Sequence, residues 1–115
     1  MAYFLFGVEV TAECDIGPGL FLPHTQGTVI GAARIGQNCT IYQGVTLGAR
    51  ELDMSFDHEQ RPVLGDDVIV GSGAKVIGPV NIGDGARIGS NANLTESVPA
   101  GHLVLAPKPE IRPRR

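Results

Sequence analysis

The sequence has no tryptophan, few aromatic residues and no excess of positive charge. Aromatic residues make up 5% of the 115 residues, and the formal net charge at pH 7 is −3. A thin core of small and β-branched side chains fits this composition better than a globular core does. The charge balance provides no basic surface for nucleic acid, so we expect no nucleic-acid partner.

Long hydrophobic runs are also missing, and we expect no signal sequence. No apolar run approaches the ~20 residues of a membrane-spanning helix, and the start lacks a basic region and is interrupted by Glu9. Neither of the two cysteines, Cys14 and Cys39, has a second Cys or His at metal-ligand spacing. Both stand at small positions of the repeat described next, as buried reduced thiols would. We therefore expect a cytoplasmic protein with no membrane contact and no metal.

The sequence does contain a six-residue period. In a helix, a step of six rotates by roughly 240° and scatters side chains over three faces. In a strand, a small residue and the aliphatic residue two positions later point to the same side. The period therefore predicts short parallel strands around a narrow interior, an all-β fold of the β-helix type. The aliphatic positions of the clearest stretch are Leu64, Val70, Val76, Ile82, Ile88 and Leu94.

The period extends toward the start of the chain with one defect. The slip falls within residues 23–28, where the sequence reads Pro-His-Thr-Gln-Gly-Thr. A defect in a regular repeat predicts either a functional site or a harmless bulge. The series runs through Phe4, Val10, Ile16 and Leu22, then shifts by one residue and resumes at Val29, Ile35, Ile41 and Leu47.

We expect one domain over residues 1–115, with two segments outside the repeat. Residues 48–63 are rich in charge and aperiodic, which predicts an external loop. The tail, residues 99–115, contains prolines that exclude ladder pairing, and we expect it to cross the last coil and cover the open end. A prism this small buries little surface alone, so self-association is expected. Three-fold symmetry would match three sides.

Several motifs resemble those of the hexapeptide-repeat acyltransferases, and of the serine acetyltransferases in particular. The resemblance implies a left-handed parallel β-helix, a homotrimer, and direct transfer of acetyl from acetyl-CoA to a hydroxyl. It covers roughly residues 8–109. The motifs that carry it are the Ile-Gly pairs at 16–17, 35–36, 82–83 and 88–89, and the segments LPHTQG at 22–27, IYQGVTLG at 41–48 and GAKVIGP at 73–79.

The resemblance assigns the catalytic role of general base to His24. Histidine suits this role because an unperturbed imidazole is mostly neutral and basic near pH 7, and such catalysis supplies ~10²–10⁴ in rate. Glu9 stands where the family has an aspartate, 15 residues before the histidine, and is implied to orient His24. Without the resemblance, His24 is an ordinary surface histidine and Glu9 a solvated strand residue.

The resemblance also places acetyl-CoA in the groove between neighbouring prisms. Small residues there let the pantetheine chain approach the backbone, and a lysine is a natural partner for phosphate. The alternative is that the serines are ordinary turn residues and the lysine is simply solvated. The matching cofactor-binding positions are Gly48, Ala49, Ser72, Ser90 and Lys108.

The acceptor-binding residues implied by the resemblance are Gln60 and Arg61, which stand where the family has an Arg-His pair before a proline. Arg61 can bind an anion through its planar fork. Two departures bear on the acceptor: the family's aspartate before the catalytic histidine is Pro23 here, and we expect the family's helical N-terminal domain to be absent. The acceptor is therefore open between serine and a sugar or surface-polysaccharide unit.

Two other functions are weighed against acetyl transfer. A zinc carbonic anhydrase on the same kind of prism needs three imidazoles around one metal, and His24, His58 and His102 lack that spacing. A trimeric scaffold that binds CoA without reacting would share the fold without the chemistry. Calorimetric CoA binding with no acetyl transfer would identify the scaffold.

Overall fold

Short parallel strands wind around a narrow core and form three flat faces. The computed structural model describes residues 2–51, 53 and 55–115. Within them no helix is long and apolar enough to cross a membrane. The strands are β1 (Ala2–Leu5), β2 (Val8–Thr11), β3 (Asp15–Ile16), β4 (Thr28–Ile30), β5 (Arg34–Ile35), β6 (Thr40–Ile41), β7 (Thr46–Gly48), β8 (Val63–Leu64), β9 (Ile69–Val70), β10 (Lys75–Ile77), β11 (Asn81–Ile82), β12 (Arg87–Ile88), β13 (Asn93–Leu94) and β14 (Leu103–Val104), with a 3₁₀ turn at His58–Gln60.

Each face is one sheet, and the chain visits the faces in turn. Face 1 has the strand order β1-β2-β4-β7-β10-β13, face 2 has β11-β8-β5-β3, and face 3 has β14-β12-β9-β6. All pairings are parallel except that of β1 with β2. We call the corner from face 3 to face 1 the histidine edge; it comprises residues 23–27, 42–44, 71–73, 89–91 and 105–108. The corner from face 1 to face 2 is the loop edge; it comprises residues 31–33, 48–62 and 78–80.

The core confirms the predicted period. All six aliphatic positions from Leu64 to Leu94 are buried in one continuous cluster. Alanines and valines at the small positions fill the corners of the same cluster. Cys39 is buried and Cys14 half-buried; both are free thiols, and burial raises the pKa of Cys14 to about 11.

The first strand is not a coil of the repeat. β1 runs antiparallel to β2 and is joined to it through Phe6 and Gly7, both with positive φ (55° and 82°). This is the backbone of a tight hairpin turn, and it pairs the outermost strand edge of face 1. The prediction that Phe4 begins the six-residue series is therefore wrong.

The phase slip arises from two corners of unusual length. Nine positions separate Phe21 from Ile30, whereas seven separate their ladder partners Thr40 and Leu47. The histidine edge therefore holds two extra residues at 23–27. The following loop edge is one residue shorter, because five positions separate Ile30 from Ile35 and six separate their ladder equivalents Val76 and Ile82. The net shift is the single residue seen in the sequence. As a result Ile30, not Val29, is buried, and the prediction that Val29 points inward is wrong.

The tail continues the coil before it leaves the prism. β14 pairs in parallel with β12, so the prediction that the tail makes no ladder contact is wrong for Leu103–Val104. The prolines at 99, 107, 109 and 113 flank this strand and carry no ladder bond themselves, as the missing N–H requires. Residues 107–115 are exposed and form no strand, and the cover over the open end stays a prediction.

Candidate active site

His24 lies in the expanded corner of the histidine edge, and its side chain is exposed. The corner is fastened to the hairpin turn of the preceding coil. The hydroxyl of Thr25 donates to the carbonyl of Phe6 at 2.5 Å, and the N–H of Gly27 donates to the carbonyl of Gly7 at 3.1 Å. The two extra residues thus lift His24 away from the core while the backbone on either side stays fixed.

Polar, uncharged side chains follow His24 down the same edge. Gln43, Ser72 and Ser90 occupy successive coils; the N–H of Gly73 donates to Gln43 O and that of Asn91 to Ser72 O, both at 2.9 Å. The hydroxyl of Ser72 donates to that of Ser90 at 3.2 Å. Coils are ~4.8 Å apart, so the edge extends roughly 19 Å from the His24 coil to the coil at 105–108.

Of the predicted residues, His24, Ser72 and Ser90 therefore share one edge. Lys108 follows β14, three residues after Leu105, whose backbone lies against Gly89. Its side chain is exposed.

Lys75 supports the histidine edge from face 1, although no sequence motif assigns it a role. Its ammonium donates to the carbonyl of Gly44 at 2.6 Å and to that of Gly73 at 3.0 Å. Both glycines have positive φ, 71° and 72°, which lets the chain turn at the corner without a Cβ clash. Lys75 thus ties two neighbouring corners together.

Glu9 lies on face 1, on the coil next to that of His24. It is half-buried, and in the ladder it stands opposite Val29. Within residues 2–51, 53 and 55–115, the side chains of Glu9 and His24 form no hydrogen bond or ion pair, and none joins the two. The orienting role of Glu9 stays a prediction.

The other four predicted residues lie at the loop edge. Gly48 ends β7 and Ala49 begins the loop, whereas Gln60 and Arg61 close it before β8. They are separated from His24 by the width of face 1. The structure thus divides the predicted site into two groups at opposite edges.

Arg61 is held inside the loop rather than pointing into solvent. Its Nη2 and Nε donate to the two carboxylate oxygens of Asp53 at 2.6 and 3.1 Å, and its Nη1 donates to Gly31 O at 2.8 Å. The guanidinium also lies 3.8 Å from the ring centre of Phe56. The side chains of Arg61 and Asp53 are only 14% and 15% exposed. The hydrogen bonds from Arg61 lower the pKa of Asp53 to about 2.

The remainder of the loop is organised around the same pair. Asp57 N donates to Asp53 at 3.0 Å, and the Asp57 carboxylate accepts from Glu59 N at 2.9 Å, which caps the 3₁₀ turn. His58 Nε2 lies 3.1 Å from Glu13 O, and its ring meets Phe56 edge-on at 4.8 Å. The loop is therefore anchored to the first two coils. No repeat or motif in this aperiodic segment singles out Asp53 or Phe56.

The three histidines occupy three different places. His24 is on the histidine edge, His58 is in the loop, and His102 lies between face 2 and face 3, beside the carbonyl of Ala100 at 2.9 Å. In the described part of the chain, no three His, Cys, Asp or Glu side chains form a group able to hold a metal ion.

A concave surface of about 220 Å³ lies on face 2, away from the predicted residues. Asp66 and Asp84 form part of its wall, but one oxygen of each already accepts a backbone N–H, from Gln37 at 2.8 Å and from Asp66 at 2.7 Å. These carboxylates tie adjacent coils together. We therefore assign this surface to the fold rather than to chemistry.

In sequence and fold, the chain is similar to one group of enzymes. The family model for the bacterial transferase hexapeptide (six repeats) matches residues 61–96. A serine acetyltransferase of Helicobacter pylori is 42% identical over 109 residues, which are 94% of this chain and 62% of that protein. A serine acetyltransferase of Mycobacterium tuberculosis is 42% identical over 102 residues, 88% of this chain and 43% of the relative.

Solved structures give the same result for the fold. Serine acetyltransferase isoform 3 of Entamoeba histolytica, in complex with cysteine, matches 96% of this chain and 38% of its own, with a TM-score of 0.81 and 34% identity. The enzyme of Neisseria gonorrhoeae matches 95% of this chain and 42% of its own, with a TM-score of 0.78 and 32% identity. These matches confirm the left-handed parallel β-helix. The chain spans about three fifths or less of the relatives it matches.

Proposed function

We propose that this hexapeptide-repeat protein, which is serine acetyltransferase-like in sequence and fold, is an acyltransferase that moves acetyl from acetyl-CoA to a hydroxyl. The observation that carries the proposal is the single edge shared by His24, Ser72 and Ser90, with the exposed base His24 at one end. Lys108 follows the last strand and is exposed, so it is available to a phosphate.

The reaction needs one proton carrier at the histidine edge. The acceptor oxygen attacks the thioester carbonyl carbon while His24 takes its proton, and the C–S bond then breaks. The same proton passes from the imidazolium to the leaving thiolate, which gives an acetyl ester and free CoA. We propose that Glu9, on the neighbouring coil, stabilises the imidazolium while it exists.

The dimensions of the histidine edge support acetyl-CoA as the donor. The path of roughly 19 Å between the His24 coil and the last coil suits an extended pantetheine chain. The carbonyl and N–H groups at Ser72 and Ser90 are close to the surface because small residues surround them. We propose that Lys108 meets the CoA phosphates.

The separation of the two edges supports a homotrimer. Residues 27–31 cross face 1, and at ~3.3 Å per residue this crossing is roughly 13 Å. One chain therefore does not bring Arg61 or Gly48 next to its own His24. We propose that three copies close around a three-fold axis. The histidine edge of one copy then meets the loop edge of the next, and Gly48, Ala49, Gln60 and Arg61 complete the site.

The relatives named above supply the first acceptor to test. They are serine acetyltransferases, and one solved relative from Neisseria gonorrhoeae is in complex with serine. We propose a hydroxyl compound bound near Gln60 and Arg61, with L-serine as the first candidate and a sugar unit as the alternative. The free thiols of Cys14 and Cys39 support a reducing, cytoplasmic location. We treat residues 1–115 as one catalytic domain, since all three faces share one core.

The test is a His24→Ala variant assayed for release of free CoA from acetyl-CoA across an acceptor panel. We expect a loss of ~10²–10⁴ in kcat with an unchanged circular dichroism spectrum. His102→Ala is the matched control, because His102 is also exposed and lies elsewhere on the prism. Normal turnover by His24→Ala would overturn the proposal. CoA binding by wild type without transfer to any acceptor would favour the scaffold function.

A further inference from the structure

Phe6 is an exposed aromatic residue fixed next to His24. Its side chain is 75% exposed at the tip of the β1–β2 hairpin. The carbonyl of Phe6 accepts the Thr25 hydroxyl at 2.5 Å, and Gly7 O accepts from Gly27 N at 3.1 Å. The hairpin tip is therefore attached on both sides to the corner that carries His24.

Phe6 also has a backbone conformation that a bulky side chain rarely adopts. It has φ of 55° at the first central position of the turn, where asparagine, aspartate or glycine is preferred and a bulky side chain is rare. Burial does not compensate, because the ring faces solvent. Within one copy the residue gains nothing from packing or from its backbone, so a contact made outside this copy explains it better.

Three charged groups around the proposed site disfavour a carboxylate. Glu9 on the neighbouring coil is itself a carboxylate, and Pro23 directly precedes His24. Arg61 already forms a two-bond pair with Asp53, and Lys75 is directed to two backbone carbonyls. Neither cation is free to form a bidentate pair with an incoming carboxylate.

From the exposed ring and the paired cations together, we infer that the acceptor is an uncharged hydroxyl compound with a ring face, a sugar by chemical class, that packs on Phe6 beside His24. The C–H face of a pyranose offers apolar area to the phenyl ring, while a hydroxyl reaches the imidazole. This inference rests on the proposed acetyl transfer and selects among its acceptors.

The test compares acceptors that differ in one group, with full-length protein and acetyl-CoA. Methyl glucoside, galactoside and mannoside are each paired with the corresponding methyl uronoside, and L-serine is included. We expect kcat/KM for the best glycoside to exceed that for its uronoside and for L-serine by about tenfold or more. Asp53→Asn releases Arg61. It should therefore raise the ratio of kcat/KM for the uronoside to kcat/KM for the glycoside about threefold to fivefold.

The decisive variant is Phe6→Asn, which creates the Asn-Gly pair that this turn prefers. A purely structural role for Phe6 predicts equal or higher stability and unchanged kinetics. The inference predicts a KM for the glycoside raised about fivefold or more, with KM for acetyl-CoA unchanged. Ile111→Ala removes an equally exposed apolar side chain in the tail and should leave all constants unchanged.

The outcomes separate the two levels of the proposal. CoA release that is fastest with L-serine, or that is indifferent to Phe6→Asn, overturns the sugar acceptor and leaves acetyl transfer intact. No CoA release with any acceptor, from a protein that binds CoA, overturns acetyl transfer itself and the acceptor with it.

Discussion

The guanidinium of Arg61 holds the carboxylate of Asp53 with two hydrogen bonds, at 2.6 and 3.1 Å, across eight residues of the loop. A third bond from Arg61 to Gly31 O fixes the pair to the prism. The loop is therefore held in one position on the loop edge. In the proposed trimer this edge faces the histidine edge of the next copy.

The Asp53–Arg61 pair should make loop stability sensitive to acid. The pKa of Asp53 is lowered to about 2, below the ~3.9 of an unfolded aspartate. The contribution is thus complete above about pH 4 and is lost as the pH falls through about 2. Urea unfolding of wild type and Asp53→Asn should show a constant difference from neutral pH to about pH 5 that then shrinks toward pH 2.

The matched control for this prediction is a second ion pair, between Glu110 and Arg112. Its atoms are 2.7 Å apart, and both side chains are at least 70% exposed. Glu110→Gln should change stability by less than about 0.5 kcal/mol at any pH. A difference for Asp53→Asn that does not vary with pH would contradict the assignment.

Gly31→Ala should destabilise the loop edge. A Cβ at this position would lie 2.7 Å from Arg61 Nη1 and 2.9 Å from Leu47 O, so either the guanidinium or the backbone has to move. We expect a loss of about 1–3 kcal/mol in the free energy of unfolding. Gly48→Ala serves as control for stability, because its Cβ meets nothing closer than 3.9 Å and should cost less than half as much.

Lys75→Met should weaken the histidine edge while keeping the aliphatic part of the side chain. It leaves the carbonyls of Gly44 and Gly73 without the ammonium that bridges them, and we expect a loss of about 1–3 kcal/mol in the free energy of unfolding. KM for acetyl-CoA should rise because the corners that line the proposed donor path are no longer tied together. Asn93→Ala, one coil away in the same ladder, should change neither quantity, and an equal effect there would refute a specific role for Lys75.

The regular part of the fold could be predicted because an aliphatic residue at every sixth position marks each inward-pointing site directly in the sequence. Leu64 and Leu94 are separated by five steps of six residues, and the residue at each step is buried as expected. The early coils were harder, since the sequence shows only the net shift of a longer corner and a shorter one. That is why Val29 was assigned to the position that Ile30 occupies.

The site could be predicted only in part, for a related reason. The serines at 72 and 90 are tied to the repeat, whereas His24 lies in the corner where the repeat slips, and all three fall on one edge. The contacts of Arg61 depend on Asp53 and Phe56 in a segment without a period, so no spacing rule foretells them. The hairpin at Phe6 was missed because Phe4 happens to match the six-residue step.

The long corner at 23–27 and the short corner at 31–33 have a consequence for engineering. Strand register on either side of them is intact, so the column tolerates changes in corner length without a change in its winding. Segments of different length and chemistry can therefore be grafted at such corners without changing the strand register of the neighbouring coils.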